Sequence, residues 1–337
     1  MDAIILVGGQ GTRLRPLAWH RHKSLVPVCN KPAILYLIEW LRSHDVKRVV
    51  LALGRYNEDL AEAFPPGSVP GLELLPVFEQ VRLESGGAIR NAVAAVGIED
   101  RFIVLNGDVY VDFDLDAAVR AHLEAEAQLT LALTPVQDPS PFGVAVVDER
   151  SMVTGFVEKP TRAEAASNLV NAGAWIFERE IVEQIPPGAV RVEETLFPSL
   201  VARHQTVLGY RFEGPWADIG TPQRYLDLNC ELAGKHGGVV IANDAEVDAS
   251  ASLRSAVVGG SSRIGSGVRL ERSVLWEQVG IGEGSLVRES VLADCVEVGA
   301  GAKLTGVVAG KGAVIGPGAV VPPGTILEPG SRYDAGA

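Results

Sequence analysis

The first residues that could do chemistry lie in a glycine-rich stretch after a short aliphatic run. Residues 6–17 read LVGGQGTRLRPL, and residues 3–7 have the aliphatic content of a buried strand. Glycines let the backbone approach an anion closely, and successive N–H groups can then cradle phosphate oxygens. Arg13 adds a planar guanidinium that suits phosphate geometry. The stretch predicts a phosphate-binding loop, with a purely structural glycine turn as the alternative.

Two better-known phosphate loops do not fit this stretch. A Walker loop needs Gly-x-x-x-x-Gly-Lys-Ser/Thr, whereas the first lysine of the chain is Lys23. A dinucleotide-binding fingerprint needs a third glycine where Leu14 stands. The loop is therefore expected to belong to a different class of phosphate site.

A carboxylate follows a second aliphatic run. Residues 104–108 read VLNGD, which places Asp108 directly after a predicted strand. Ligands of open parallel sheets bind at the carboxyl ends of the strands, and Mg²⁺ prefers carboxylate and phosphate oxygens. Asp108 is therefore a candidate metal ligand. A surface turn is the alternative, because Asp beside Gly is common in turns.

The elements that must position these residues change in character near residue 235. Before it, aliphatic runs alternate with helical patterns, with helices over 32–42 and about 116–127 and strands over 48–53 and 102–105. This alternation predicts βαβ units in a Rossmann-like mixed, mostly parallel sheet. We therefore expect two domains, 1–235 and 236–337.

The second domain carries a six-residue repeat. Its aliphatic residues fall in triplets whose starts lie 17 residues apart, with a last step of 16. They are Ile241, Val247, Leu253, Val258, Ile264, Leu270, Leu275, Ile281, Val287, Leu292, Val298, Leu304, Val308, Val314, Val320 and Ile326. The period predicts a left-handed parallel β-helix of about five coils, with one of these side chains per face pointing inward. A β-sandwich is the alternative, but it has no reason to keep a fixed period.

Composition narrows the class of protein. The 337 residues carry a formal net charge of −12, whereas nucleic-acid binders present a basic face, so no nucleic-acid partner is expected. No apolar run reaches the roughly 18 residues of a membrane helix, and the N-terminus lacks a signal-peptide pattern, so no membrane partner is expected. The three cysteines have no metal-ligand spacing. These features favour a cytoplasmic protein.

The glycine-rich stretch resembles Gly-Gly-x-Gly-Thr-Arg-Leu-x-Pro-Leu, the signature of sugar-1-phosphate nucleotidyltransferases. The resemblance extends along most of the chain, and the family's Pro-Lys-x-Leu-x-Pro stretch appears at 22–27 with His22 in place of the first proline. It implies that Arg13 and Lys23 hold the triphosphate of a nucleoside triphosphate and that both are catalytic, together with Asp108. The nucleotide-binding set that it implies is Leu6, Gly8, Gly9, Gly11, Thr12, Arg13, Lys23, Ser85, Gly86, Asn106 and Gly107.

The resemblance also implies a metal pair and a sugar side. Residues 214–221 read GPWADIGT, similar to the family's Trp-x-Asp-x-Gly-Thr segment, and this implies that Asp108 and Asp218 bind Mg²⁺. Residues 156–160, FVEKP, resemble the Glu-Lys-Pro segment that binds sugar hydroxyls and the sugar phosphate. The sugar-phosphate set that it implies is Gly143, Glu158, Lys159, Asn171, Gly173 and Glu193.

The substrates follow from a third segment. Residues 83–92, LESGGAIRNA, resemble the base-reading segment of guanylyltransferases, and the repeat favours the mannose-1-phosphate guanylyltransferase-like subgroup. We therefore expect GTP and mannose 1-phosphate or a related sugar phosphate as substrates, with an NDP-sugar and pyrophosphate as products. Glu84, where glycine is usual, also resembles some uridylyltransferases. A uridylyl- or thymidylyltransferase acting on another sugar or cyclitol phosphate stays open.

The repeat opens two further classes of function. Many hexapeptide-repeat proteins are acyltransferases that use a histidine base, but the last histidine here is His236, before the repeat. We therefore expect a scaffold, a regulatory surface or contacts within a homo-oligomer. The other class is a non-catalytic regulatory subunit that binds nucleotide sugars; His22 and Glu84 keep it open, although the charged residues of the phosphate loop are present.

Overall fold

The structure is a computed structural model that describes residues 1–54, 58–65 and 67–336, so that residue 337, the end of the predicted second domain, lies outside the described residues. The α-helices are α1 Ala33–Ser43, α2 Glu58–Ala63, α3 Glu84–Val96, α4 Leu115–Glu124, α5 Leu196–Ala202 and α6 Pro222–Lys235. Short 3₁₀ helices span Thr12–Leu14, Lys23–Leu25 and Arg179–Gln184.

The strands before residue 235 are β1 Asp2–Val7, β2 Pro27–Val28, β3 Lys31–Pro32, β4 Arg48–Leu53, β5 Glu73–Phe78, β6 Phe102–Asn106, β7 Val109–Val111, β8 Leu129–Pro135, β9 Gly143–Val147, β10 Val153–Glu158, β11 Leu169–Phe177, β12 Val207–Arg211 and β13 Trp216–Asp218. Those after it are β14 Val239–Ile241, β15 Glu246–Val247, β16 Ser252–Val258, β17 Arg263–Ile264, β18 Arg269–Leu275, β19 Gly280–Ile281, β20 Leu286–Arg288, β21 Val291–Leu292, β22 Glu297–Val298, β23 Lys303–Thr305, β24 Val308–Ala309, β25 Val314–Ile315, β26 Val320–Val321, β27 Ile326–Leu327 and β28 Arg332–Tyr333.

The chain forms two compact units. The first comprises Met1–Gly9 and Ile34–Trp216, and the second comprises Gln10–Ala33 and Ala217–Ala337. The division falls inside the glycine-rich stretch, between Gly9 and Gln10. A short segment from the beginning of the chain therefore packs with the C-terminal third of the sequence.

The first unit is built on a mixed sheet with the order β10-β9-β11-β6-β1-β4-β5, in which β11 also pairs with β8 and β8 with β12. Strands β6, β1, β4 and β5 are parallel, whereas β11 runs antiparallel to β6. The predicted α/β class with a mostly parallel, mixed sheet is confirmed. The parallel strands place their carboxyl ends, and the loops that follow them, along one edge.

Helix α1 shows why the alternation in the sequence gives this fold. Ile34, Leu37, Ile38 and Leu41 recur with helical spacing, and each is at most 1% exposed. They form an apolar stripe that must be buried for the helix to be stable in a protein. Helix α3 ends at Val96 and is capped by Gly97. The φ of Gly97 is 66°, the left-handed conformation that glycine adopts at helix ends.

The second unit contains a parallel β-helix. Strands β15, β17, β19, β22, β25 and β28 stack on one face, and the other short strands pair in the same parallel manner. Most paired residues lie 17 apart, as in Ile264 and Ile281. The interior is aliphatic, with side chains such as Leu270, Val287 and Leu304 at most 1% exposed. The predicted repeat architecture is confirmed.

The register predicted for the last coils is wrong by one residue. The inward side chains there are Ala309, Ile315, Val321 and Leu327, all buried, whereas Val320 and Ile326 are 64% and 57% exposed. The 17-residue step continues to Val321, which pairs with Leu304, and the step from Ala309 to Leu327 is 18 residues. Each predicted residue has an aliphatic neighbour in the next position, and neighbouring side chains of a strand point to opposite faces.

Outward-pointing residues of the β-helix are also buried on one side. Val257, Val274 and Val291 occupy equivalent positions on consecutive coils, and each is 1% exposed. Helix α6 packs against β16 and β18 on this side. It begins at Thr221, whose side chain accepts a hydrogen bond from the Arg224 N–H, with Pro222 at the first helical position.

Candidate functional site

The first unit contains a cavity of about 120 Å³ at the carboxyl edge of its parallel strands. Five of the predicted nucleotide-binding residues line it, namely Leu6, Gly8, Gly9, Ser85 and Asn106. Its other walls are Ala52, Glu79, Arg82, Glu84 and Ala88. The strands β1, β4 and β6 and the first turn of α3 therefore converge on one concave site, as ligand sites of open α/β sheets do.

Close backbone approach explains two glycines beside the cavity. A Cβ on Gly107 would stand 2.3 Å from Val7 Cγ1, and the Gly107 N–H donates to the Leu6 carbonyl at 2.9 Å. Gly173 has a φ of 73°, and its Cβ would stand 2.8 Å from Asn106 Nδ2. Side chains at either position would displace the strand ends, so both glycines keep the edge of the sheet compact.

Ser85 connects the cavity to the predicted sugar side. Its hydroxyl donates to Glu193 Oε2 at 2.6 Å and accepts from the Val192 N–H at 3.0 Å. Glu193 is 7% exposed, and burial raises the pKa of its carboxyl. Gly86 lies beside this contact, where a Cβ would stand 2.9 Å from Val190 Cγ2. Packing against Val190 is therefore enough to require glycine at position 86.

Glu84 departs from the family pattern at a left-handed residue. Its φ is 57°, a conformation that glycine adopts without strain and that costs other residues about 1–2 kcal/mol. This explains why glycine is usual at the position. The Glu84 carboxylate forms an ion pair with Arg82 Nε at 2.8 Å beside the cavity. Glutamate at position 84 therefore adds an ion pair with Arg82 and keeps the left-handed backbone conformation.

Three charged side chains meet on the sugar side. Glu158 Oε1 lies 2.9 Å from Lys159 Nζ and 3.2 Å from Arg191 Nη2. Arg191 also pairs with Glu194 at 2.8 Å. A Cβ on Gly143 would stand 2.7 Å from Glu158 Oε2, so the backbone of β9 passes close to this carboxylate. The arrangement offers a carboxylate for hydroxyl groups and two cations for a phosphate.

Asn171 shapes the strand that continues this wall. Its Oδ1 accepts from the Gly173 N–H at 3.1 Å and from Trp175 Nε1 at 2.7 Å. The pairing of β11 with β8 is irregular between Asn171 and Trp175. The Asn171 side chain therefore stabilises a bulge, and bulges commonly redirect side chains near functional sites.

The second unit contains the remaining phosphate-loop residues. Gly11 has a φ of 62°, and its Cβ would stand 2.9 Å from Lys23 Cβ, so the loop backbone packs on the lysine stem. Thr12 and Arg13 begin a 3₁₀ helix directly after Gly11. His22 has a φ of −58°, which a proline would share, and its Nδ1 accepts from the Ser24 N–H at 3.2 Å. His22, which stands where the family has proline, therefore keeps the backbone conformation that leads into Lys23.

Asp218 lies beside a cationic pair in the same unit. Its Oδ2 accepts from Arg224 Nη1 at 2.7 Å. A Cβ on Gly220 would stand 2.5 Å from Asp218 Oδ1 and 3.0 Å from Arg13 Nη2, so a side chain at this position would crowd both groups. Asp108 lies two residues after the end of β6 in the first unit and is half-buried. Each of these carboxylates is partly shielded, and each taken by itself is the type of donor that Mg²⁺ prefers.

Two residues of the first unit were missed by the sequence prediction. Glu79 lines the cavity and is 5% exposed; its Oε2 accepts from the Leu83 N–H at 3.0 Å, and burial raises its pKa. Its Oε1 lies on the side of Gly8, 3.6 Å from a Cβ built there. Arg191 is the other, beside Glu158. Glu79 directly follows β5, and Asp108 lies two residues after β6. A carboxylate at the end of a strand is the signal that could have found Glu79.

A histidine and two carboxylates also meet away from the cavity. Ligand atoms of His44, Asp114 and Asp116 lie within 4.8 Å of one another. Asp114 caps α4 by accepting from the Ala117 N–H at 2.8 Å, and Asp116 Oδ2 lies 3.0 Å from His44 Nδ1. Local structure accounts for all three side chains.

Comparison with known proteins identifies the family of the chain. The Nucleotidyl transferase family model matches residues 2–235, and the GMPPB C-terminal domain model matches residues 235–333. The chain therefore belongs to the nucleotidyl transferase family. Among the described residues, no helix is both long and apolar enough to cross a membrane.

Several curated relatives carry mannose-1-phosphate guanylyltransferase or guanyltransferase names, and another is named UTP–glucose-1-phosphate uridylyltransferase. One from Mycobacterium tuberculosis is 36% identical over 235 residues, which cover 69% of this chain and 64% of the relative. A putative mannose-1-phosphate guanyltransferase from Sulfolobus acidocaldarius is 32% identical over 254 residues, 75% of this chain and 69% of the relative. The match thus spans less than two thirds of the mycobacterial protein.

A solved structure shares the fold of about two thirds of the chain. It is HddC from Yersinia pseudotuberculosis in complex with GMP-PN, with 26% sequence identity and a TM-score of 0.58. The match covers 68% of this chain and 99% of HddC.

Proposed function

We propose that this chain transfers a nucleoside monophosphate, GMP in the favoured case, from a nucleoside triphosphate to a sugar 1-phosphate. The acceptor is mannose 1-phosphate or a related sugar phosphate, and the products are an NDP-sugar and pyrophosphate. The observation that carries the proposal is the cavity in which Gly8, Gly9, Ser85 and Asn106 converge. Family membership and the names of the curated relatives support the same reaction.

The proposal gives each charged residue a role. Arg13 and Lys23 hold the triphosphate and stabilise charge on the departing pyrophosphate. Asp108 and Asp218 hold Mg²⁺, which when bound supplies neutralisation of phosphate charge. Arg224 keeps the carboxylate of Asp218 in one orientation through their contact at 2.7 Å.

The sugar side positions the nucleophile. Lys159 binds the phosphate of the sugar 1-phosphate, Glu158 accepts from sugar hydroxyls, and Arg191 fixes the orientation of Glu158. A phosphate oxygen of the sugar attacks the α-phosphorus of the nucleotide, its bond to pyrophosphate breaks, and pyrophosphate leaves. The nucleophile is already an anion, so no general base is needed and catalysis consists of positioning and charge stabilisation.

Glu79 supports guanine as the base. Guanine carries two adjacent N–H donors, at N1 and N2, which a single carboxylate can accept together. Uracil and thymine instead present one N–H between two carbonyl oxygens, which a carboxylate would repel. Because Glu79 is buried in the wall of the cavity beside Gly8, we assign it to the recognition of guanine.

Replacing Glu79 with glutamine is expected to change the choice of nucleotide. The amide can keep the hydrogen bond from Leu83 but presents an N–H₂ group to the base, so kcat/KM for GTP should fall by roughly ten- to hundredfold. The value for UTP should fall less, and the ratio of the two values is the quantity to measure. Glu73→Gln, at the exposed start of β5, the strand that Glu79 directly follows, serves as the matched control. An unchanged ratio would contradict the assignment.

A pyrophosphate-release screen tests the reaction itself. It crosses GTP, UTP, dTTP, ATP and CTP with mannose, glucose, heptose and amino-sugar 1-phosphates. We expect the fastest turnover with GTP and mannose 1-phosphate or a related sugar. Faster turnover with UTP or dTTP would move the chain to the alternative branch. Binding of nucleotide sugars without turnover on any pair would favour the regulatory subunit.

The remaining assignments concern the setting of the enzyme. We propose a cytoplasmic location, because the three cysteines are scattered along the sequence, as is common in proteins of reducing compartments. We also propose a homo-oligomer to which the β-helix contributes contacts, because the flat sides of such coils stack well. Sedimentation at two protein concentrations measures the second point.

A further inference from the structure

The segment Gln10–Ala33 packs with the β-helix. It belongs to the same compact unit as residues 217–337, and it carries both Arg13 and Lys23. Neither the resemblance to the family nor the match of separate family models to residues 2–235 and 235–333 assigns the β-helix a part in the phosphate site. The contacts between the segment and the coils give it one.

Two side chains in the middle of the segment bind carboxylates of the β-helix. Trp19 Nε1 donates to Glu328 Oε2 at 2.9 Å, and Arg21 Nη2 donates to Asp294 Oδ2 at 3.1 Å. The Arg21 and Asp294 side chains are only 27% and 14% exposed, so solvent screens this ion pair less than a surface pair. Arg21 also lies over the ring of Trp276, with its guanidinium carbon 5.2 Å from the ring centroid.

These two residues lead directly to the phosphate-binding side chains. Arg15 lies two residues after Arg13 in the sequence. Its guanidinium carbon lies 3.9 Å from the ring centroid of Trp19. Arg21 directly precedes His22, whose ring accepts from the Ser24 N–H in the 3₁₀ helix that begins at Lys23. Glu328 thus fixes the Arg13 side of the segment, and Asp294 fixes the Lys23 side.

The far end of the segment is fixed to the same unit. Tyr225 of α6 donates to the Pro27 carbonyl and accepts from Trp276 Nε1 at 2.8 Å. The Asn30 side chain donates to the Val258 carbonyl at 2.9 Å. The Cys29 N–H donates to Asn229 Oδ1 at 2.8 Å. Lys23 therefore lies between two attachment points, and its backbone position is set by the coils and by α6.

We propose that the β-helix positions the phosphate-binding segment of its own unit, with Asp294 and Glu328 as positioning residues for Lys23 and Arg13. They act through Arg21 and Trp19 and contact no substrate themselves. The inference rests on the proposed function, because Arg13 and Lys23 are taken to hold the triphosphate. Binding of a triphosphate requires these cations in fixed positions, and small displacements of catalytic groups by remote changes cost large factors in rate.

The test uses the full chain with Asp294→Ala and, separately, Glu328→Ala, which removes the acceptor for Trp19 Nε1. We expect Kd and KM for GTP to rise roughly tenfold or more in each variant, with KM for the sugar 1-phosphate and the midpoint of thermal unfolding close to wild type. Glu297→Ala, on another face of the β-helix, is the matched control and should bind GTP as wild type does. Equal effects in the control and the test variants would overturn the inference, as would wild-type affinity in both test variants.

A double-mutant cycle adds a readout that a structural role would not move. Arg21→Ala combined with Asp294→Ala should be no worse in GTP binding than either single change, because both remove the same ion pair. Additive losses would overturn the inference. The proposed function and the positioning role of the β-helix can fail separately. Binding of GTP without turnover by the wild-type chain would contradict the proposed function. The GTP affinities of the variants would still test the positioning role of the β-helix. Absence of GTP binding by the wild type would overturn both.

Discussion

Replacing Lys23 with alanine is expected to lower kcat by about 10²–10³-fold with the fold intact, because removal of one charge-stabilising donor typically costs this factor. The ammonium of Lys23 is assigned to the charge that develops on pyrophosphate as it leaves, so the loss should appear in kcat and kcat/KM together. Single-turnover measurement of pyrophosphate release separates this step from the release of product.

The control for Lys23 lies in the same segment. Lys31→Ala removes a lysine from strand β3, to which no role in phosphate binding is assigned, and should turn over at close to the wild-type rate. Lys23→Arg provides a second comparison, because it keeps the charge but changes the shape of the donor. Near-normal turnover of Lys23→Ala would remove Lys23 from the catalytic set and contradict the phosphate-loop assignment.

Replacing Asp108 with asparagine is expected to have an effect of similar size on the requirement for metal. The amide keeps the volume of the carboxylate but loses its charge, so the Mg²⁺ concentration that gives half-maximal rate should rise and kcat should fall by about 10²–10³-fold. The measurement is a titration of pyrophosphate release with Mg²⁺. Chelation of the metal should abolish turnover of the wild-type chain.

A comparison with Asp218 and Asp112 tests the pairing. If Asp108 and Asp218 hold one ion, the double Asp→Asn variant should be little worse than either single variant, because residues that act as a unit are not additive. Asp112→Asn, after the next strand, is the control for removal of a nearby carboxylate. An unchanged Mg²⁺ dependence in Asp108→Asn would rule out Asp108 as a ligand.

The sequence predicted the architecture well because burial controls it. The strand predicted over 48–53 matches β4, and the repeat appears as stacked parallel strands. Both patterns come from side chains that must be inside. In the last coils the sequence pattern does not determine which side chains point inward, because Val320 and Val321 are both aliphatic. The pairing of Lys303 with Val320 in the structure decides it. Composition alone does not distinguish two such neighbours.

The candidate site was predicted where a motif places a residue on a strand end. Contacts that depend on tertiary packing were not predicted. The hydrogen bond between Ser85 and Glu193 joins residues 108 positions apart, and Arg191 reaches Glu158 from another loop. His22 and Glu84 looked like defects in the sequence, yet the first has a proline-like φ and the second keeps a glycine-like one. Backbone conformation, rather than residue type, is what those two positions preserve.

The division of the chain between Gly9 and Gln10 limits how freely such proteins can exchange parts during evolution. The two family models suggest interchangeable modules that meet near residue 235. A recombination event at that point would separate Arg21 from Asp294, Trp19 from Glu328 and Asn30 from Val258. A foreign set of coils would be compatible only if it supplied equivalent partners, so the inherited unit is residues 10–33 together with the C-terminal third of the chain.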